Sequence, residues 1–315
     1  MLYLNLMKIN IALDIGGTKM RAASYLGDNV VPIKKNLIFT YSNGTNPKDL
    51  LLQIVKSVWP EGGSVEGIGI AVAGPINIYE GQIEKSPNIP EFNDFSVGPF
   101  LKDAFHIPIF LGNDANLACL GEWKFGVGQG HQNIIYLTIS TGIGSGVISD
   151  GVLLIGSCGM GAELGHVTII PGGSQCSCGK RGHLEAYSSG TAIAKWFKSE
   201  LKNGEKSMLD NLTNISSREI ALAAYEGDEL SIKAFIRAGR ILGLGITNFL
   251  HIFNPTCIIF GGGVSNSIDL ILPEIKSVVE DEVVDSGYYE NLIFETSTLK
   301  DDAGILGALA LARGI

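Results

Sequence analysis

Residues 8–26, KINIALDIGGTKMRAASYL, decide how the rest of the chain is read. A β-rich run up to Ile15 breaks at Gly16 and Gly17 and resumes as an apolar pattern after Thr18 and Lys19. The stretch predicts a strand, a tight turn and a second strand. Working outward, KDLLLQIVKSV (48–58) places Leu51, Leu52, Val55 and Val58 on one helical stripe. VEGIGIAVAGPI (65–76) predicts a buried strand ending in a Gly-Pro turn, and IPIFLGNDANLACLGEWKFG (107–126) a strand running directly into a helix. NIIYLTISTGIGSGVISDG (133–151) predicts a hairpin with a glycine-rich bend. Residues 189–251 are mostly helical in pattern, TCIIFGGGVS (256–265) predicts strand, glycine turn and helix, and AGILGALALA (303–312) a closing helix. Strands and helices fall into two sets, so we expect two α/β domains with a boundary near residues 115–125 and a ligand cleft between them. No heptad, tandem repeat of fixed period or low-complexity segment is present.

The chain has 315 residues, 45% of them apolar, with 41 glycines and a formal charge of −9. That is enough apolar material for two cores, and the acidic balance argues against nucleic acid or anionic lipid as partners. The apolar start, MLYLNLMK, lacks a basic n-region and a cleavage site, and Met7 is a candidate initiator. No apolar run approaches the ~20 residues of a bilayer span. We expect a cytoplasmic protein, in which close cysteines point to metal or redox chemistry before a disulfide.

Three glycine turns each follow a strand pattern: Asp14-Ile15-Gly16-Gly17-Thr18-Lys19, Ser140-Thr141-Gly142-Ile143-Gly144-Ser145-Gly146 and Gly261-Gly262-Gly263-Val264. Singly, each is equally a tight β-turn. None matches GxxxxGK[ST], and none matches GxGxxG followed by a helix and a distant acid, so P-loop and dinucleotide fingerprints are excluded. Together they describe a nucleotide cleft: glycine amides approach phosphate closely, Asp14 offers a carboxylate to hydrated Mg²⁺, and the Thr18 and Thr141 hydroxyls offer donors.

The combination of DIGGTK (14–19), STGIGSG (140–146), GAELGH (161–166) leading into a CxCGxxG segment, and NPTCIIFGGG (254–263) resembles the ROK family of sugar kinases over residues 9 to 313. The resemblance implies two ribonuclease-H-like α/β domains of the actin and hexokinase type with an interdomain cleft for ATP and a sugar. The last helix would return to the first domain, giving 8–117 plus 300–315 and a larger domain 118–299 that carries a zinc-binding loop. It implies ATP-dependent phosphorylation of a hexose at the 6-hydroxyl, with glucose first and N-acetylmannosamine or N-acetylglucosamine as alternatives. ATP with Mg²⁺ is the expected donor, polyphosphate the alternative, and a homodimer or homotetramer the expected assembly. The nucleotide would contact Asp14, Gly16, Gly17, Thr18, Lys19, Thr141, Gly142, Gly144, Gly262 and Gly263. Many relatives are repressors with a DNA-binding helix-turn-helix; the thirteen residues before Asp14 are too few for one.

Asn113 and Asp114 sit where a strand meets a helix, a place that also suits N-cap residues. The family's catalytic aspartate lies in this motif, so Asp114 inherits the role of accepting the sugar hydroxyl's proton, with Asn113 orienting the hydroxyls. Glu163, His166 and Glu185 match sugar-contacting positions, for which a solvated surface is the alternative at the two glutamates. Gly74 and Asn88, in AGPI and SPNIP, match turns that touch the hexose. Cys176-x-Cys178 is too close for a relaxed disulfide, and the resemblance places a structural zinc on His166, Cys176, Cys178 and His183. The family commonly has a third cysteine (CGxxGC) where this chain has CGKRGH, which would make a His₂Cys₂ site of zero formal charge. Cys119, Cys158 and Cys257 are expected to be buried filler.

Overall fold

The computed structural model describes residues 8–40, 45–86 and 89–315, so the expectation for Asn88 lies outside the described residues. The chain divides into two compact units. One holds the described residues up to Gly130 with Gly146–Ala162 and Ser297–Ile315; the other holds His131–Ser145 with Glu163–Thr296.

In the first unit, β1 (Lys8–Ile15), β2 (Lys19–Leu26) and β3 (Lys34–Phe39) form an antiparallel meander. Next come α1 (Pro47–Ser57), β4 (Ser64–Val72), the two-residue strands β5 (Ile76–Asn77) and β6 (Gln82–Ile83), α2 (Val97–Phe105), β7 (Ile109–Asn113) and α3 (Asp114–Phe125). β4 runs parallel to β1, and β7 parallel to β4, giving the order β3-β2-β1-β4-β7. The alternation along β1 explains the layering. Ile11, Leu13 and Ile15 face one core with Leu51, Ile54 and Val55 of α1, whereas Ala12 faces another with Leu117 and Leu120 of α3. Each fully buried aliphatic side chain contributes about 1.5–3 kcal/mol.

That second core is closed by α9 (Ala303–Arg313), which supplies Ile305, Leu306 and Leu309. Its small residues permit contact at the level of the backbone. A Cβ on Gly307 would lie 1.6 Å from the Leu117 carbonyl oxygen of α3, and one on Gly69 of β4 would lie 1.8 Å from the Ala308 carbonyl oxygen.

The second sheet has the order β10-β9-β8-β11-β12, from β8 (Ile134–Ile139), β9 (Ile143–Ser149), β10 (Val152–Leu153), β11 (Cys257–Gly261) and β12 (Ile293–Thr296). β11 is parallel to both β8 and β12. Strand for strand this is the order of the first sheet, and the division between the units falls inside β9. The helices are α4 (Glu185–Ser188), α5 (Gly190–Lys202), α6 (Ser217–Tyr225), α7 (Glu229–Phe253) and α8 (Leu272–Glu282).

Two sequence expectations need correction. Cys119 and Cys257 are buried, but Cys158 is exposed, because Ser157-Cys158-Gly159 lies in a turn outside any core. After β11 no α-helix follows the glycine turn directly. Gly263–Leu270 is an irregular 3-10 stretch with Ser267 at φ −128°, and α8 starts only at Leu272. Polar side chains compete with helical bonding there: the Ser265 hydroxyl donates to the Gly262 carbonyl at 2.7 Å and Asn266 Nδ2 to the Gly263 carbonyl at 3.1 Å.

Candidate active site

Register places the first unit's candidates on one sheet edge. Ile15 pairs with Val72, and Val72 with Asn113, so β1, β4 and β7 end side by side. Asp14, the Ala73-Gly74 turn, Asn113 and Asp114 follow from those ends, the edge at which open α/β sheets bind ligands. The helix start explains the local structure. Asn113 caps α3, its Oδ1 accepting from the Ala115 amide at 2.9 Å and the Asn116 amide at 3.2 Å. Asp114 is half-buried at the first helical position, with Oδ1 accepting from Ala115 at 2.9 Å. A carboxylate placed there interacts favourably with the helix dipole. Asn113 Nδ2 donates to the Gly74 carbonyl at 3.4 Å, which joins two of the predicted residues. Asp14 is engaged from β2: Arg21 donates to its Oδ2 from Nε at 3.1 Å and Nη2 at 2.6 Å. Gly16 donates to the Lys19 carbonyl at 3.1 Å to close the turn, and Thr18 and Lys19 are exposed.

In the second unit, β8 and β11 also end together, Thr138 opposite Gly261, and the two later glycine turns meet. Gly262 has φ +80°, and a Cβ there would lie 2.5 Å from the Ile139 carbonyl oxygen, so only glycine fits. Beside the turns opens a cavity of about 1200 Å³. Ser140, Thr141, Gly190, Thr191, Gly263 and Asn266 line it, with Ala194, Ala221, Leu222 and Phe235 as apolar wall. Lys195, Lys198, Lys202 and Arg218 add four cations, and no carboxylate stands among its described lining residues. In a chain of net charge −9 this is a local reversal of sign that favours an anion.

Sequence reasoning read residues 189–251 as mostly helical but gave α5 no part in the site. Its signals were present: the Ser189 cap, whose side chain accepts from the Ala192 amide, precedes Gly190-Thr191, and Gly190 donates to the Ser140 carbonyl at 2.8 Å. A helix N-terminus beside a glycine turn is an anion site in its own right. Lys195, Lys198 and Lys202, three and four residues apart, share one face of the helix.

The third cluster is built by a knuckle. Cys176 N–H donates to the Lys180 carbonyl at 2.8 Å and Gly179 to the Cys176 carbonyl at 3.0 Å, while a bridge pairs His183 with Thr168. This returns His183 to the level of His166. One ligand atom from each of His166, Cys176, Cys178 and His183 lies within 4.8 Å of the others. Cys176 Sγ is 3.6 Å from His166 Nδ1, and Cys178 Sγ is 3.3 Å from His183 Nδ1. A tetrahedron with zinc bonds of 2.0–2.3 Å has edges of roughly 3.6 Å, so the four residues fit a tetrahedral cation.

Glu163 Oε2 lies 4.0 Å from His166 Nε2. Burial pushes the Glu163 carboxyl up, His166 opposing and Glu185 adding to the shift. Glu185 is buried rather than solvated. Its Oε2 accepts from the Ile143 amide at 3.0 Å, and its Oε1 accepts from the Ser177 hydroxyl and, at 3.2 Å, from Cys176 Sγ. Burial acts to raise this carboxyl, but those donors together bring it below the usual range. Burial pushes the Cys176 thiol up to about 11.

Known proteins share this arrangement of motifs and sheets. The glucokinase of Thermotoga maritima is 34% identical over 311 residues, 96% of each chain. The ROK family glucokinase of Streptomyces griseus, solved with glucose and AMPPNP, superposes with a TM-score of 0.79 at 30% identity, over 98% of this chain and 100% of that one. The ROK hexokinase of Thermus thermophilus gives 0.78 at 30% identity, over 96% and 97%. The expected actin and hexokinase type of fold is thereby borne out. Because the family signature itself matches residues 10–315, both duplicated sheets and the cysteine knuckle included, the chain belongs to the ROK family.

Proposed function

We propose that this chain transfers the terminal phosphoryl group of ATP to the 6-hydroxyl of a hexose, glucose first. The observation that carries the reading is the cation-lined cavity beside the two glycine turns, with Ser140, Thr141 and Gly263 on its wall. Thr141, the amides of Gly142 and Gly144, and the α5 start hold phosphoryl oxygens, and the apolar wall with Gly262 and Gly263 takes the nucleoside. Gly16, Gly17, Thr18 and Lys19 form the second phosphate turn. Asp14, whose Oδ2 Arg21 engages, would hold hydrated Mg²⁺, which would supply charge neutralisation to the phosphates. On the acceptor side Gly74, Asn88, Asn113, Glu163, His166 and Glu185 bind hydroxyls, carboxylates accepting them in charge-assisted bonds. Asp114 takes the proton of the attacking hydroxyl as its oxygen bonds to the γ-phosphorus and the bond to the β–γ bridging oxygen breaks, releasing ADP.

The test is ADP release across glucose, mannose, fructose, glucosamine, N-acetylglucosamine and N-acetylmannosamine. The expected result is the highest kcat/KM on glucose. A preference for an N-acetylated hexosamine would move the chain to the alternative, and no turnover on any of them would overturn the reading.

His166, Cys176, Cys178 and His183 fit a structural zinc, which would leave no coordination position open for chemistry. Two thiols, Cys176 buried and Cys178 exposed, and two imidazoles are the soft and borderline donors that zinc prefers. About one zinc per chain is expected by elemental analysis. Cys178→Ala is expected to lose the metal and most of the activity; full activity in metal-free protein would refute a structural role.

A further inference from the structure

We propose that Glu185 is a positioning residue for the phosphate turn, and that through it a metal held by His166, Cys176, Cys178 and His183 sets how tightly the donor nucleotide is bound. The inference rests on the reading of Ser140–Gly144 as a phosphate turn, and extends it by tying that turn to the cysteine knuckle. All the contacts lie within one unit.

Two struts support the turn from beneath. The first is Glu185: its Oε2 accepts the Ile143 amide at 3.0 Å, and a Cβ on Gly142 would lie 2.4 Å from that same oxygen. Gly142 is therefore glycine because the carboxylate fills the space of a side chain. Its other oxygen is held by the knuckle through the Ser177 hydroxyl, a donor that remains when a metal makes Cys176 a thiolate. The second strut is the single turn Leu164–His166. Leu164 N–H donates to Ser145 Oγ at 2.9 Å, and a Cβ on Gly165 would lie 2.1 Å from the Ile143 carbonyl oxygen. His166 follows Gly165 directly, and His183 precedes Glu185 by two residues. A cation that joins His166 to His183 therefore clamps the bases of both struts together.

A turn binds phosphate by presenting amides in fixed directions, so freeing its supports weakens binding without removing any group that touches the nucleotide. Couplings carried in this way are typically 5–150-fold, and they are reciprocal. Loss of the metal is expected to weaken nucleotide binding about tenfold with no sugar present, and bound nucleotide is expected to tighten metal binding by the same factor.

The test is calorimetric titration of ADP, in the absence of sugar, into four samples: metal-loaded protein, chelator-stripped protein, Glu185→Ala and Glu185→Gln. Metal removal and Glu185→Ala are each expected to raise the Kd for ADP about tenfold, and the two effects should not add. Glu185→Gln, whose amide oxygen still accepts from Ile143, should recover most of the loss. Ser145→Ala, which cuts the second strut only, should weaken ADP less but in the same direction, and it carries the test if Glu185→Ala does not fold. Wild-type ADP affinity in folded Glu185→Ala, or metal removal acting equally in that variant and the parent, would overturn the proposal. Failure of metal-loaded parent protein to bind ADP would instead overturn the phosphate-turn reading beneath it.

Discussion

Asp114→Asn is expected to lower kcat for hexose phosphorylation by about 10²–10⁴ while the sugar KM stays within a few-fold. The change keeps the shape of the side chain and an oxygen able to accept from the Ala115 amide, as Asp114 Oδ1 does at 2.9 Å. It removes the acceptor for the hydroxyl proton. The loss should therefore appear in kcat, as expected for an interaction made only in the transition state. Folding should survive, because a neutral residue at this helix position forfeits only about 0.3–1 kcal/mol of dipole interaction. Steady-state kinetics with saturating ATP decide the matter, and near-normal turnover would remove Asp114 from the chemistry.

The largest effect on stability is expected from Gly307→Ala. Its added methyl would lie 1.6 Å from the Leu117 carbonyl oxygen, so α9 must move away from α3. Overpacking of this kind costs typically 1–3 kcal/mol, and it outweighs the ~1 kcal/mol by which alanine exceeds glycine in helix propensity. Gly304→Ala is the matched control in the same helix. Its nearest heavy atom would be the Asp114 carbonyl oxygen at 4.0 Å, an ordinary contact, so propensity alone should act and leave stability unchanged or raised. The melting temperature should fall for Gly307→Ala and not for Gly304→Ala; a fall in both would mean that the backbone approach is not what sets the helix position. Because α3 begins at Asp114, Gly307→Ala should also depress kcat.

The strands were legible because their cues are local. Gly16-Gly17, Gly142 and Gly261-Gly263 interrupt apolar runs of period two or continuous burial, and β1, β2, β8, β9 and β11 lie where those cues place them. The pairing of strands is not local, and the duplication went unseen for that reason. Two sheets share the order of three antiparallel strands followed by two parallel ones, yet the connections differ in length, so no fixed period survives in the sequence. The site divides along the same line. Asn113-Asp114 and Cys176-x-Cys178 were readable from neighbours in the chain, whereas the lysine face of α5 could be linked to Ser140 only once Gly190 was seen bonded to it. Glu185 was read as a residue facing ligand or solvent; its carboxylate also accepts from Ile143, Ser177 and Cys176, partners that the sequence did not reveal. The bond to Ile143 spans 42 positions of sequence, a separation at which spacing carries no information.

The packing of α9 against β4 and α3 also orders events during synthesis. A ribosome making this chain finishes the five strands around β1 long before it delivers Ala303–Arg313, so the hydrophobic face of Leu117 and Leu120 waits without its cover while the whole second sheet is translated. A nascent chain in that condition exposes apolar surface and invites chaperones, and the unit begun first can be completed only last.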